Sequence, residues 1–252
     1  MLIVVSPAKR LDFQTPNELE EATQPRFLAK SRDLIKELRK KSSEDLQELM
    51  GISEKLGQLN YDRFQSFKTP FSLKNAKQAG LAFQGDTYQG LEFFKFNKSE
   101  RNFAQKSLRI LSGLYGVLAP LDLIQPYRLE MGTKFGVKGK KDLYEVWKDE
   151  VTEALNEDLK GHKALVNCAS NEYFSAVKTS VLKKPVITPV FKEEKNGKLK
   201  IISFNAKRAR GMMAKFIIEN KLKDPEDIKK FDLDNYKFNK ELSDETTFTF
   251  TR

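Results

Sequence analysis

The segment 111–132, LSGLYGVLAPLDLIQPYRLEMG, constrains the fold more than any other part of this chain. Two glycines and two prolines interrupt a run of Leu, Val, Ile and Tyr residues. Because glycine and proline break regular structure, the backbone must turn several times while its side chains stay in an apolar environment. The segment is therefore predicted to form a shaped, buried wall that includes Tyr115, rather than one long helix.

The end of this segment has the pattern of a strand with one buried face. Polar and apolar side chains alternate from Tyr127 to Met131, which places Arg128 and Glu130 together on the other face. Two opposite charges beside a buried segment indicate a ligand cleft, but paired charges on strands are also common as solvated salt bridges. This segment alone leaves both interpretations open.

Length and composition exclude several classes of protein. The 252 residues can bury a sizeable core without disulfides, and we expect one domain over 1–252. The apolar start of the chain is too short for a signal peptide, and no later run has the length of a membrane span. A single cysteine, Cys168, and a single histidine, His162, disfavour disulfide, zinc, haem and di-iron chemistry. We expect a cytoplasmic monomer without cofactor, metal or membrane contact.

The charge balance favours a polyanionic partner. Lys plus Arg outnumber Asp plus Glu by 45 to 35, a formal net charge of +10. A basic surface of this kind is typical of nucleic-acid binding, although many basic proteins only carry solvated lysines. The positions of the cations therefore matter more than their number.

Polar residues follow two predicted buried strands at the points where the strands end. The strand Leu2–Val5 leads into a basic loop, and the strand 164–169 leads into a predicted helix start. Chain segments of this kind bind ligands in α/β folds, but an ordinary loop and a helix cap explain them equally well. The candidate residues at the two ends are Ser6, Lys9 and Arg10, and Asn167, Ser170, Glu172 and Tyr173.

Residues 43–59 resemble a helix-hairpin-helix element. Ser43–Met50 is predicted as one helix, Gly51, Ile52 and Ser53 as a tight turn, and 54–59 as a second helix. In such elements the amide groups at the turn bind a DNA phosphate, and Lys55 would add a positive charge. Because Ser53 stands where a second glycine is usual, a generic helical turn is an equally good interpretation.

The segment Lys207–Gly211 places three cations at the predicted start of a helix. Lys207, Arg208 and Arg210 would face the positive end of the helix dipole, which costs about 0.3 to 1 kcal/mol for each exposed charge. A bound phosphate would offset that cost, and screening by salt would also reduce it.

The remaining patterns predict a mixed α/β chain. Other predicted elements are a helix from Thr23 and Pro25 to Lys41, a helix capped by Ser99, a helix over 142–159, a hairpin of 186–191 with 199–204 around Asn196-Gly197, and an edge strand over 246–251.

Five motifs together resemble one family, the bacterial peroxide-stress resistance protein YaaA family. They are SPAK at 6–9, the segment 111–132, Leu143-Tyr144 before Trp147, NCASNEY at 167–173 and KRARG at 207–211. The resemblance covers essentially the whole chain, although Arg10 stands where threonine is common and Cys168 replaces a leucine. It implies a single α/β domain of unusual architecture with a basic cleft and a helix-hairpin-helix-like element. It also implies DNA binding, protection from hydrogen peroxide and lowered free intracellular iron.

Two functions fit these observations. A DNA-binding protein would contact phosphates with Lys9, Arg10, Gly51, Ser53, Lys55, Lys207, Arg208 and Arg210, with weak sequence specificity, on double-stranded or distorted DNA. An enzyme acting on a nucleobase or nucleotide would use Arg128, Glu130, Glu172 and Tyr173, with Glu130 or Glu172 as general acid or base. Ser6, Tyr115, Asn167 and Ser170 would line its cleft. Direct iron binding is disfavoured, because His162 has no second histidine to work with.

Overall fold

A mostly parallel sheet forms the centre of this mixed α/β protein. The computed structural model describes residues 1–16 and 19–252. The helices are α1 Leu28–Leu38, α2 Ser43–Met50, α3 Glu54–Ser66, α4 Ala79–Ala82, α5 Asp86–Leu91, α6 Lys98–Ser107, α7 Leu143–Asp158, α8 Asn171–Phe174 and α9 Ser203–Glu219. The strands are β1 Leu2–Val5, β2 Arg10–Leu11, β3 Lys77–Gln78, β4 Phe83–Gln84, β5 Leu108–Ser112, β6 Gly116–Leu118, β7 Leu123–Ile124, β8 Leu165–Cys168, β9 Val186–Lys195, β10 Lys198–Lys200, β11 Lys237–Phe238 and β12 Thr247–Thr251.

The direction in which the chain adds strands to the sheet reverses at β1. The order is β11-β12-β9-β8-β1-β5-β6, and β10 pairs with β9. The chain adds β5 on one side of β1 and β8 on the other, both parallel to β1. Open α/β sheets bind ligands outside the carboxyl ends of the strands at such a switch point. The topology therefore directs attention to the residues that follow β1 and β8.

The buried strands β1 and β8 were predicted from their continuous apolar runs. Every residue of both strands is buried. Strands of a parallel sheet read in this way because helices or loops cover both of their faces. The strand predicted over 246–251 also forms, but its predicted place at the sheet edge is wrong. β12 lies between β9 and β11. Its alternating pattern of Thr and Phe is also compatible with this inner position, because Phe248 and Phe250 are buried in the core.

The segment 111–132 forms the predicted buried wall. It contains the end of β5, the turn into β6, and β7, and Gly116 has a positive φ of 71°. Trp147 of α7 packs against this turn and donates its indole N–H to the Gly113 carbonyl at 2.8 Å. The predicted strand from Tyr127 to Met131 is wrong, because these residues join no ladder even though their burial alternates. The alternation of buried and partly exposed residues does not by itself provide the neighbouring strand that a ladder requires.

The helical predictions differ mainly at their starts. α2 begins at Ser43 as predicted, with a capping box of Ser42 and Asp45, and ends at Met50, followed by Gly51 with a φ of 60°. α1 begins at Leu28 rather than near Thr23, because Thr23 forms a bridge with Asp122 instead. Asn97 rather than Ser99 caps α6, with Glu100 completing the capping box.

The hairpin before α9 is shorter on its second arm than predicted. Asn196 and Gly197 both have positive φ, as a tight hairpin turn requires, but β10 ends at Lys200 and α9 begins at Ser203. Lys207, Arg208 and Arg210 therefore lie in the second turn of α9 or beyond. The predicted placement of these cations at a helix N-terminus with free amide groups is wrong, and their charges project from the side of the helix.

No helix formed by residues 1–16 and 19–252 combines the length and the apolar composition that crossing a bilayer requires.

Candidate functional site

A cavity of about 330 Å³ lies at the carboxyl ends of β1 and β8. We call it the switch-point pocket. Nine residues that the sequence singled out line it, namely Ser6, Lys9, Arg10, Glu130, Ser170, Glu172, Tyr173, Lys207 and Arg210. Four separate parts of the chain supply them, so the sheet topology brings together side chains that are up to about 200 positions apart.

A pair of serines joins the two strand ends at the pocket. The Ser170 amide donates to the Ser6 hydroxyl oxygen at 2.8 Å, and the Ser6 hydroxyl lies 3.2 Å from that of Ser170. The buried Tyr88 hydroxyl donates to the Ser6 carbonyl at 3.1 Å. Ser170 occupies the N-cap position of α8, but its side chain makes no capping bond. Its hydroxyl is instead directed to the pocket wall.

The two carboxylates of the pocket differ in how they are held. Glu130 is paired through Oε2 with Lys9 at 2.7 Å and through Oε1 with Arg128 at 3.0 Å. Glu172 accepts the Gly132 amide through Oε1 at 3.1 Å, and its backbone carbonyl accepts the Tyr144 hydroxyl at 2.9 Å. Both oxygens of Glu130 are therefore taken by cations, whereas Glu172 makes no ion pair with the described residues.

Arg210 is a half-buried cation at the pocket without a carboxylate partner in the part of the chain that the structure describes. Burial lowers the pKa of its guanidinium, which marks an unfavourable environment for the charge. Its neighbour Cys168 is 1% exposed, and burial raises the pKa of that thiol to about 12. Cys168 is thus a protonated wall residue and not a thiolate that could balance Arg210.

Sequence reasoning missed the contribution of α5 to the pocket. Gln84, Gly85, Asp86 and Thr87 line one side of it. α5 lies against α9 at very short range, since a Cβ at Gly90 would come within 2.1 Å of the Arg208 carbonyl oxygen and one at Gly211 within 1.8 Å of that of Thr87. These two glycines were the available signal, because close backbone contact between helices requires small residues.

Several predicted site residues are not among the residues that line the pocket. Tyr115 is fully buried in the core, where its hydroxyl accepts the Gln125 amide at 3.1 Å. Asn167 is buried and accepts the Ala169 amide, so its role is to shape the end of β8. Arg128 reaches the pocket only through Glu130. Arg208, Gly51, Ser53 and Lys55 are exposed at other positions.

Known proteins are similar to this chain over essentially its whole length. A family model described as peroxide stress protein YaaA matches residues 1–242. A protein of Saccharophagus degradans is 54% identical over 254 residues, which cover 100% of this chain and 99% of that protein. A protein of Teredinibacter turnerae is 52% identical with the same coverage, and one of Burkholderia lata is 49% identical over 100% of this chain and 98% of its own length. All three are described as UPF0246 proteins.

Proposed function

Because the chain belongs to the peroxide stress protein YaaA family, we propose that it is a DNA-binding protein of the response to hydrogen peroxide. The family description supports the role in peroxide stress. The DNA-binding part of the proposal rests on the cations of the switch-point pocket. The protein would protect DNA by binding its phosphate backbone with weak sequence specificity.

The observation that carries this proposal is Arg210. A half-buried guanidinium loses hydration, and in a folded protein an anion normally compensates for that loss. Within the described residues no carboxylate does so at Arg210, and Arg10 and Lys207, which line the same pocket, also form no ion pair. A phosphate group matches the missing partner in charge and in hydrogen-bonding capacity.

A second surface would extend the contact along a DNA strand. The helices α2 and α3 meet at Gly51, Ile52 and Ser53, and the Ser53 side chain makes no capping bond to the start of α3. The Gly51 and Ile52 amides donate to the Gln47 carbonyl, so the amides at the start of α3 are the ones that would be open to a phosphate, with Lys55 exposed beside them. The proposal therefore includes the start of α3 as a second phosphate contact.

The experiment is fluorescence anisotropy of a labelled duplex over a salt series. For wild-type protein we expect the logarithm of the binding constant to fall with the logarithm of salt concentration by about 0.9 for each phosphate contact. Lys207→Ala with Arg210→Ala should reduce that slope by about 2, and Lys55→Ala by about 1.

The matched control removes two exposed lysines at the opposite edge of the sheet. Lys183 and Lys184 precede β9, whose start pairs with the start of β8, so they lie at the amino ends of the parallel strands. Lys183→Ala with Lys184→Ala changes the net charge equally and should leave the slope unchanged. An equal loss of affinity in both double variants would mean that only net charge matters, and no binding at low salt would refute the proposal.

The second candidate function is an enzyme that acts on a nucleobase or nucleotide. Its support is the presence of Glu130, Glu172 and Tyr173 in the same pocket as the unpaired cations. Glu172 is the better candidate for general acid or base, because Glu130 is engaged by Lys9 and Arg128. Glu172→Gln should keep DNA affinity in either case. Loss of peroxide protection with that affinity intact would favour the enzyme.

Lowered free iron would be an indirect effect in this proposal. Among residues 1–16 and 19–252 there is no group of three or more His, Cys, Asp or Glu side chains arranged to hold a metal ion. We therefore propose no iron site, and equilibrium dialysis of the protein with ferrous iron should give no stoichiometric binding. Tight binding of one iron per chain would contradict this part of the proposal.

A further inference from the structure

A second cavity, of about 670 Å³, lies beside the switch-point pocket, and none of the functions above uses it. We call it the aromatic cavity. Gln84 of β4 lines both cavities. The volume is in the range of sites that hold small molecules. Its walls come from Asp12, Thr15, Pro16 and Leu19 after β2, from the chain between β3 and Phe94, and from Arg101 of α6.

One side of the aromatic cavity is made of ring surfaces. Phe83, Tyr88 and Phe93 are buried behind it, and they fix the shape of that wall. Phe94 also lines the cavity but is 69% exposed, the highest exposure of the large apolar side chains among the described residues. An exposed ring at the edge of a cavity can stack on a flat ligand, and stacking then removes its apolar surface from water.

Arg101 also lines the cavity, and it has a hydrogen-bond donor without an acceptor. Arg101 donates through Nη1 to the Phe96 carbonyl at 2.5 Å, but its Nε is buried and makes no hydrogen bond within the described residues. The Glu21 carboxylate forms an ion pair with that Nε at 3.8 Å, a distance too long for a hydrogen bond. A buried unpaired donor costs about 1 to 3 kcal/mol in general, and an anion beside the exposed part of the guanidinium would offset part of this cost through its charge.

Asp12 and Gln84, which also line the cavity, supply acceptors for a ring N–H. Asp12 accepts the Gln14 and Thr15 amides through Oδ1, and hydrogen bonding to Thr15 is the largest influence that lowers its pKa to about 2. The carboxylate is therefore ionised and would repel an anion placed near it. Lys77 lies 3.8 Å from Asp12 Oδ2 and donates to the Thr15 carbonyl. The anionic group of a ligand thus belongs at Arg101, and polar ring atoms belong near Asp12 and Gln84.

We propose that the aromatic cavity binds a flat nitrogen heterocycle that carries one anionic group, stacked on Phe94 with its anion at Arg101. Both a mononucleotide and an aromatic heterocyclic acid have this chemistry. The site is separate from the phosphate contacts of the switch-point pocket, so the inference does not depend on DNA binding.

The test is isothermal titration calorimetry with four probes. Adenosine monophosphate and indole-3-acetate each combine a ring with an anion, while adenosine and inorganic phosphate each supply only one of the two. We expect saturable binding of at least one combined probe, and binding at least about tenfold weaker for the separate ring or anion. The probe that binds distinguishes a nucleotide from an aromatic acid.

Variants locate the binding. Arg101→Met and Phe94→Ala should each weaken it by about tenfold, and Phe94→Trp should retain it. Phe94 is exposed, so its variants keep the fold even if Arg101→Met loses stability with the Phe96 contact. Lys207→Ala with Arg210→Ala should leave the affinity unchanged. The proposal is overturned if neither combined probe saturates, if Phe94→Ala binds as wild type, or if the Lys207 and Arg210 changes abolish binding.

Discussion

The Ser170 amide donates a hydrogen bond to the Ser6 hydroxyl oxygen at 2.8 Å, which ties the loop after β1 to the start of α8. Parallel strands place their carboxyl ends at the same edge of a sheet, but they do not determine how the following loops approach each other. At the switch-point pocket this bond determines the approach, because it joins the loop that carries Lys9 to the start of the helix that carries Glu172.

Ser6→Ala should lower the free energy of unfolding by about 1 kcal/mol, because the Ser170 amide loses its acceptor. The matched control is Ser175→Ala. The Ser175 hydroxyl donates only to the Asn171 carbonyl, which already accepts the Ser175 amide, so its loss should cost little. Urea denaturation of both variants measures the difference, and equal destabilisation would show that the Ser6 contact has no special weight.

Gly116→Ala should destabilise the protein more than Gly139→Ala. Both glycines have positive φ, 71° and 81°, so alanine at either costs about 1 kcal/mol of backbone strain. Only at Gly116 would the new Cβ also meet Trp147, at 2.7 Å from a ring carbon, while at Gly139 it would meet no atom within 4 Å. The collision should add about 1 to 3 kcal/mol. Similar melting temperatures for the two variants would contradict this account of the wall.

Tyr115→Phe should lower the free energy of unfolding by about 1 to 2 kcal/mol, because the buried Gln125 amide would lose its acceptor. Tyr61→Phe is the control, since the Tyr61 hydroxyl makes no hydrogen bond with the described residues. DNA affinity should be unchanged in both variants. Weaker DNA binding by Tyr115→Phe without loss of stability would restore Tyr115 as a ligand residue.

The Asp158 carboxylate should contribute stability that disappears in acid. Burial acts to raise its pKa, but the hydrogen bonds and charges of Arg109 and Arg26, each 2.7 Å away, outweigh burial and hold the pKa below its ordinary value of 3.8. A lowered folded-state pKa stabilises the protein above that ordinary value, and the contribution is lost as the pH falls towards the folded-state pKa.

Asp158→Asn should therefore cost about 3 kcal/mol at neutral pH, because it leaves the two arginines without their carboxylate. The difference from wild type should narrow below about pH 4. Asp149→Asn, at an exposed residue of the same helix with no ion pair to the described residues, should cost little at any pH. Urea titrations over a pH series measure both. A difference that stayed constant down to pH 2 would exclude an effect of ionisation.

Cys168 should be inert in the folded protein. Burial raises the pKa of its thiol to about 12, so the reactive thiolate is almost absent at neutral pH. Iodoacetamide should modify Cys168 only when urea unfolds the chain, as mass spectrometry can follow, and Cys168→Ala should keep peroxide protection. Rapid modification of the native protein, or loss of protection in the alanine variant, would instead make Cys168 a direct sensor of peroxide.

Local chemistry allowed part of this structure to be predicted. The helix predicted over 142–159 forms as α7, because Asp142 supplies an N-cap and the apolar side chains that follow repeat at helical spacing. The tight turn at Asn196-Gly197 follows from the ease with which these residues adopt positive φ. β1 and β8, with the polar residues that follow them, were recognisable for the same reason, since each signal lies within a few neighbouring residues.

The sequence by itself determined these local elements, the family of the chain and most of the residues that line the switch-point pocket. Only the tertiary structure decided that β12 lies inside the sheet, that Tyr115 belongs to the core and that Lys207 and Arg210 project from the side of α9. The same holds for the contribution of α5 to the pocket and for the aromatic cavity. The physical reason is range. Capping, turns and periodicity act over a few residues, whereas burial and the meeting of distant charges depend on which segments pack together.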